Sequence, residues 1–156
     1  MTLHIALIEP KIIEALYRAS RAGVRIDLIV RGVCALKPGI PGISENIRVR
    51  SIVGRFLEHS RAFYFHNGGA EDVYLSSADW MDRNFFRRVE VCFPVLDAKL
   101  KKRVMNEGLK PYLEDNCQSW DLDKDGSYSL RSPRRGKPQA AQEVLLEALA
   151  RAPQPA

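Results

Sequence analysis

The sequence predicts an α/β domain: a mixed β-sheet flanked by helices. Three observations carry this. A strand, a helix and a second strand follow one another at the start of the chain, the order of a βαβ unit with parallel strands. Further on, Asn67-Gly68-Gly69 between two apolar runs marks an antiparallel hairpin. Helical periodicity returns after Asp97 and again near the C-terminus.

Thr2 to Ile8 alternates loosely and reads as a strand. Pro10 then opens a helix, a favourable place for proline because the first turn needs no N–H. Ile12, Leu16 and Ala19 fall on one face of it with Ile13 and Tyr17 beside them, and Gly23 stops it. Val24 to Val30 is largely apolar and β-branched, a second strand with Arg31-Gly32 at its carboxyl end. In open α/β sheets that end is where ligands bind. Leu36 to Asn46, with Pro38, Gly39, Pro41 and Gly42, is a loop. Ile47–Val53, Arg61–Phe65, Val73–Leu75 and Arg88–Phe93 are further strands, with Ser76 to Trp80 a polar stop. Asp97 caps a helix that runs to about Glu107 and is ended by Gly108 and Pro111. Residues 1–115 are thus expected to form the core. Residues 116–156 are expected to add a polar, basic segment and a last helix, about Ala140 to Leu149, to the same domain.

The 156 residues are enough for one domain with a proper core, and no apolar run approaches the roughly 20 residues of a membrane span. The first ten residues lack the basic and cleavage features of a signal peptide. Cys34, Cys92 and Cys117 fit neither a disulfide framework nor a zinc site, which suggests a reducing compartment; Cys92, in an apolar run, is expected in the core. Lys and Arg total 24 against 19 Asp and Glu, a net charge of +5. The excess suits an anionic partner, and arginine, the commoner cation, matches phosphate geometry.

Asp121-x-Asp123-x-Asp125-Gly126 copies the start of a calcium loop, but such a loop needs a glutamate at its twelfth position, where this chain has Ser132. A solvated acidic turn is the better reading, and no metal ligands are assigned. Arg131 to Lys137, which includes Arg134 and Arg135, is a basic run, either a linker or an arm contacting a polyanion. Among the histidines, His4 is incidental and His66 is expected to be exposed before the Asn67 turn. His59 differs because Arg55, Ser60 and Arg61 surround it. On a strand His59 and Arg61 would share one face, placing an imidazole and a cation on the same phosphate, while Glu58 would point the other way. His59-x-Arg61-x4-His66 is a degenerate form of the His-x-Lys-x4-Asp signature of phospholipase D enzymes. Ser76-Ser77-Ala78-Asp79, with Asn84 and Glu90 beyond, resembles that group's Gly-Ser-x-Asn segment.

Several longer segments then resemble a single family. They are Leu28-Ile29-Val30-Arg31-Gly32-Val33-Cys34, Gly42 to Arg48, Ser51 to His59, Asn67-Gly68-Gly69, and Tyr74-Leu75-Ser76-Ser77-Ala78-Asp79-Trp80-Met81-x-Arg83-Asn84. In this order and spacing, over about residues 8 to 138, they resemble the last domain of bacterial polyphosphate kinase.

That resemblance implies a phospholipase D-like fold. It also implies a kinase that reversibly moves the terminal phosphate of ATP onto inorganic polyphosphate through a phosphohistidine, with Mg2+. The family's nucleotide-contacting arginine matches Arg31 and its second active-site histidine matches His59. Arg55, Ser60 and Arg61 are candidate phosphate-binding helpers by proximity. The histidine that becomes phosphorylated, the Mg2+ ligands and the base contacts belong to a preceding domain, so this chain alone is expected to be inactive. The implied partners are ATP or ADP and polyphosphate, not nucleic acid, in a homo-oligomeric cytoplasmic enzyme that also associates with membranes within a larger complex. Two other functions compete: a phospholipase D-type phosphodiesterase and a non-catalytic polyanion-binding module.

Overall fold

A computed structural model describes residues 1–7, 9–133 and 136–151. Ile8 of the first expected strand and Arg134 and Arg135 of the basic run lie outside the described residues. The elements are β1 (Thr2–Leu7), α1 (Pro10–Arg21), β2 (Ile26–Cys34), β3 (Ile47–Ile52), β4 (Ala62–Phe65), β5 (Asp72–Ser76), α2 (Asp82–Phe86), β6 (Cys92–Pro94), α3 (Ala98–Val104), α4 (Lys110–Glu114), β7 (Ser119–Leu122), β8 (Tyr128–Leu130) and α5 (Ala141–Arg151).

The strands form one mixed sheet in the order β6-β5-β4-β1-β2-β3-β7-β8. β1, β2 and β3 are parallel, and every other pairing is antiparallel. The expected α/β architecture is therefore present, including the opening βαβ unit and the β4–β5 hairpin at Asn67 to Gly69.

Alternation along β2 explains how the sheet is covered on both faces. Leu28 and Val30 point into a core with Leu16 of α1, Val49 and Phe63, while Ile29 points the other way, to Leu109, Tyr112 and Ala141. Buried on both sides, such a strand reads as a continuous apolar run. Glu9 accepts the Ile12 N–H at 2.9 Å and caps α1, and Ala22 and Gly23 (φ +85°) close it. The 36–46 loop is organised by buried Ser44, whose Oγ donates to the Lys37 carbonyl and accepts from the Ile40 N–H.

Four expectations need correction. The helix after Asp97 does not stop at Gly108. It widens into one π-turn at Met105–Leu109 and continues as α4. The wider turn buries Leu109 fully and brings Pro111 into the first turn of α4, where its missing N–H is no loss. The strand expected over Arg88–Phe93 is only Cys92–Pro94. Before it, Ser77 takes over the pairing: its Oγ accepts the Val91 N–H, and its N–H donates to the Val91 carbonyl. Cys92 consequently lies exposed on an edge strand rather than in the core. The polar stretch after residue 116 holds the β7–β8 hairpin, and the Asp123 to Gly126 segment is its turn.

Candidate functional site

The parallel strands fix where the site can form. β3 ends at the carboxyl edge of the sheet, and β4 begins at that same edge because it runs antiparallel to β1. β2 and β1 lie between them in the sheet order. Residues 53–61 must therefore cross the carboxyl ends of β2 and β1. This is the loop that carries Arg55, His59, Ser60 and Arg61.

Arg31 lies near that edge but not at the strand end expected for it: β2 runs on past Val30 to Cys34, so Arg31 is inside the strand. Ile5 pairs with Val30, and the next pair is Leu7 with Cys34, so two steps along β1 match four along β2. This bulge, with Gly32 at φ +85°, lets the strand end turn without a Cβ clash. Arg31 is half-buried, whereas His59, Arg55 and Ser60 are exposed. The Arg55 guanidinium stacks over the Phe56 ring, 5.7 Å from its centre. Ser60 lines a cleft of about 470 Å3 with Leu75, Phe93 and Leu100 among its other walls.

Arg61 precedes β4 rather than opening it, so it does not share a strand face with His59. The two meet differently. Arg61 Nε and Nη2 donate to Asp79 Oδ1 and Oδ2 at 3.0 and 2.8 Å, and Nη1 donates to the His59 carbonyl at 3.1 Å. Asp79 is buried, and its paired oxygens raise the Arg61 pKa. Nearby, Glu90 accepts from the Ser77 hydroxyl and, at 2.5 Å, from Asn84 Nδ2; these bonds hold its carboxyl below the ordinary value. The Ser76-to-Asp79 segment thus lies beside the His59 loop, as its likeness to the Gly-Ser-x-Asn segment suggests. His66, at the other end of β4 from His59, is exposed, and the Tyr64 hydroxyl lies 3.5 Å from its Nδ1.

The upstream half of the loop is held by residues that sequence inspection missed. Gln142 of α5 accepts the Phe56 N–H with Oε1 (2.8 Å), and its Nε2 donates to the Phe56 carbonyl (2.7 Å) and to Glu58 Oε1 (2.9 Å). A Cβ at Gly54 would lie 2.4 Å from Gln142 Oε1. α5 itself is seated by Asp115, fully buried, which accepts N–H groups from Cys117, Gln118 and Ala141. A glycine just past a strand is a visible signal; the glutamine in the last helix offers none. Among the described residues no group of three or more His, Cys, Asp and Glu could hold a metal ion.

The mixed sheet, with a histidine loop stretched across the carboxyl ends of its parallel strands, is an α/β domain with polar groups at its ligand-binding edge, and its structural neighbour below places it in the phospholipase D-like class. Three comparisons narrow the class. The profile of the family "Polyphosphate kinase C-terminal domain 2" matches residues 3–142, and the chain belongs to that family. It is 69% identical over 132 residues to the polyphosphate kinase of Burkholderia cenocepacia (strain HI2424), covering 85% of this chain and 19% of the relative. It is 61% identical over 140 residues to that of Paraburkholderia phytofirmans, covering 90% of this chain and 20% of the relative. The crystal structure of polyphosphate kinase from Porphyromonas gingivalis superposes with a TM-score of 0.90 at 43% identity, over 96% of this chain and 23% of the other. The chain therefore spans about a fifth of the length of the curated relatives it matches.

Proposed function

We propose that this chain is the part of a polyphosphate kinase that faces the phosphate being transferred, with His59 and Arg31 as its reacting and binding groups. The observation that carries this is the crossing loop, which exposes His59 at the sheet edge near the β2 bulge that holds Arg31. Phosphoryl transfer depends mainly on positioning and on neutralising charge. Arg31 holds phosphate oxygens of ATP, its planar fork matching them two at a time. His59 donates a hydrogen bond or a proton to the leaving oxygen, opposite a nucleophilic histidine from another domain. Arg55 and Ser60 supply further donors from the same loop, and Arg61 keeps the loop in place.

The substrates are ATP or ADP and inorganic polyphosphate, with Mg2+ held outside this domain, in a homo-oligomeric cytoplasmic enzyme. No helix among the described residues is long and apolar enough to cross a membrane. His59→Ala in the full-length enzyme is expected to lower polyphosphate synthesis about 100-fold or more, the usual scale for a lost proton donor. Near-normal turnover would refute the role. Arg31→Ala is expected to raise KM for ATP, and an unchanged KM and rate would remove it from the site. The chain on its own is expected to bind polyphosphate in a salt-dependent manner without turnover.

A further inference from the structure

We propose that Gln142 is a positioning residue for His59, acting from the last helix through the backbone of Phe56. This rests on the proposed role of His59. Gln142 is 5% exposed, yet all three of its bonds go to the loop and none to its own helix. Only one orientation of the carboxamide satisfies them. Oε1 must meet the Phe56 N–H, because Nε2 faces two oxygens, the Phe56 carbonyl and the Glu58 carboxylate. The Phe56 ring is itself 48% exposed, so its packing does not fix the loop; the main-chain pair with Gln142 does.

The consequence falls on the next residues. Glu58 is half-buried between Gln142 and Tyr112, whose hydroxyl bonds to it and is driven upward in pKa by burial and by that carboxylate. His59, its neighbour, is exposed, and its carbonyl is tied by Arg61. The loop is thus clamped on both sides of His59, by Gln142 before it and by Arg61 after it. Gly54 allows the close approach on which the first clamp depends, since no side chain fits between it and the Gln142 amide.

The test uses a full-length polyphosphate kinase carrying this domain. Gln142→Met keeps length and removes all three hydrogen bonds. It is expected to lower kcat about tenfold or more, the scale of a small misplacement of a reacting group, with KM for ATP within about twofold of wild type. Gly54→Ala breaks the same contact from the loop side, its added Cβ colliding with the unsubstituted Gln142 amide, and is expected to give the same split, which keeps the inference testable if Gln142→Met folds poorly. In the 156-residue chain, the Phe56 amide is expected to lose hydrogen-exchange protection in Gln142→Met while β2 amides keep theirs. Wild-type kcat in both variants, with His59→Ala inactive, overturns the inference and leaves the role of His59 standing. Wild-type activity in His59→Ala overturns that role itself. A parallel loss of kcat, ATP affinity and thermal stability assigns Gln142 to folding alone and equally overturns the inference.

Discussion

Arg61 and Asp79 form a two-pronged ion pair, Nη2 to Oδ2 at 2.8 Å and Nε to Oδ1 at 3.0 Å, across 18 residues of chain. It joins the entry of β4 to the turn that follows β5, and the third Arg61 donor holds the His59 carbonyl.

Removing the guanidinium from this pair leaves a buried carboxylate without its principal counter-charge. Breaking a buried pair from one side costs about 3–5 kcal/mol, less where one partner reaches solvent, as Arg61 does. Arg61→Ala is therefore expected to destabilise the chain by about 1–3 kcal/mol, and Asp79→Ala in the same background to add little further. A double-mutant cycle from urea unfolding checks this, and additive losses would show that the two side chains act independently.

Buried Arg50 is expected to anchor α4. Its Nη1 donates to the Leu113 carbonyl at 2.5 Å and to the Tyr112 carbonyl at 3.2 Å, placing a cation at the negative end of that helix. Arg50→Met keeps the stem and loses the charge. It should cost about 2 kcal/mol, with charged hydrogen bonds worth about 1.5–3 kcal/mol. Thermal melts of the two proteins measure it; an unchanged Tm would show that water replaces the guanidinium at no cost.

Asp115 organises three backbone donors from two segments with one buried side chain. In Asp115→Ala the buried Ala141 N–H and the part-buried Cys117 and Gln118 N–H groups lose their partner, and an orphaned buried group costs about 1–3 kcal/mol. The expected result is a large loss of stability, greatest in α5. Proteolysis at α5 in the variant but not in wild type would report it, and equal resistance would count against the bridging role.

Glu90 predicts a pH signature. Bonds from Ser77 and Asn84 depress its pKa in the folded chain, so folding favours the charged form. The stabilisation is present above the unfolded value of about 4.3 and is lost as pH falls through the lower folded value. Between about pH 5 and pH 3 the wild-type Tm is expected to fall more steeply than that of Glu90→Gln. Parallel curves would mean that Glu90 titrates alike in both states.

The fold was legible where local chemistry and tertiary structure agree. Pro10 and Gly23 bracket α1, Asp97 caps α3, and Asn67-Gly68-Gly69 turns the hairpin, each through its own backbone preference. Val89 and Val91 mislead because their alternation imitates a half-buried strand while both side chains lie in solvent. Gly108 and Pro111 mislead because a π-turn over Met105–Leu109, which contains Gly108 and ends just before α4, shifts the register, a tertiary adjustment that no local rule announces. At the site, the group of residues around His59 was visible in sequence. Gln142, 86 positions from Phe56, was not, since nothing in a helical Ala-Gln-Glu run shows which main-chain groups it will meet.

That separation bears on the order of folding. Loop closure over long stretches is slow, and contacts between distant positions form late. The 53–61 segment borders strands completed early in the chain, and its downstream half is held by Arg61 and Asp79, but its upstream half gains its partner only when the final helix docks. A folding intermediate with an intact sheet and an undocked α5 would contain every residue of the histidine loop while lacking the clamp on its upstream half. Competence at this edge would then appear last in refolding, in step with the helix and not with the strands.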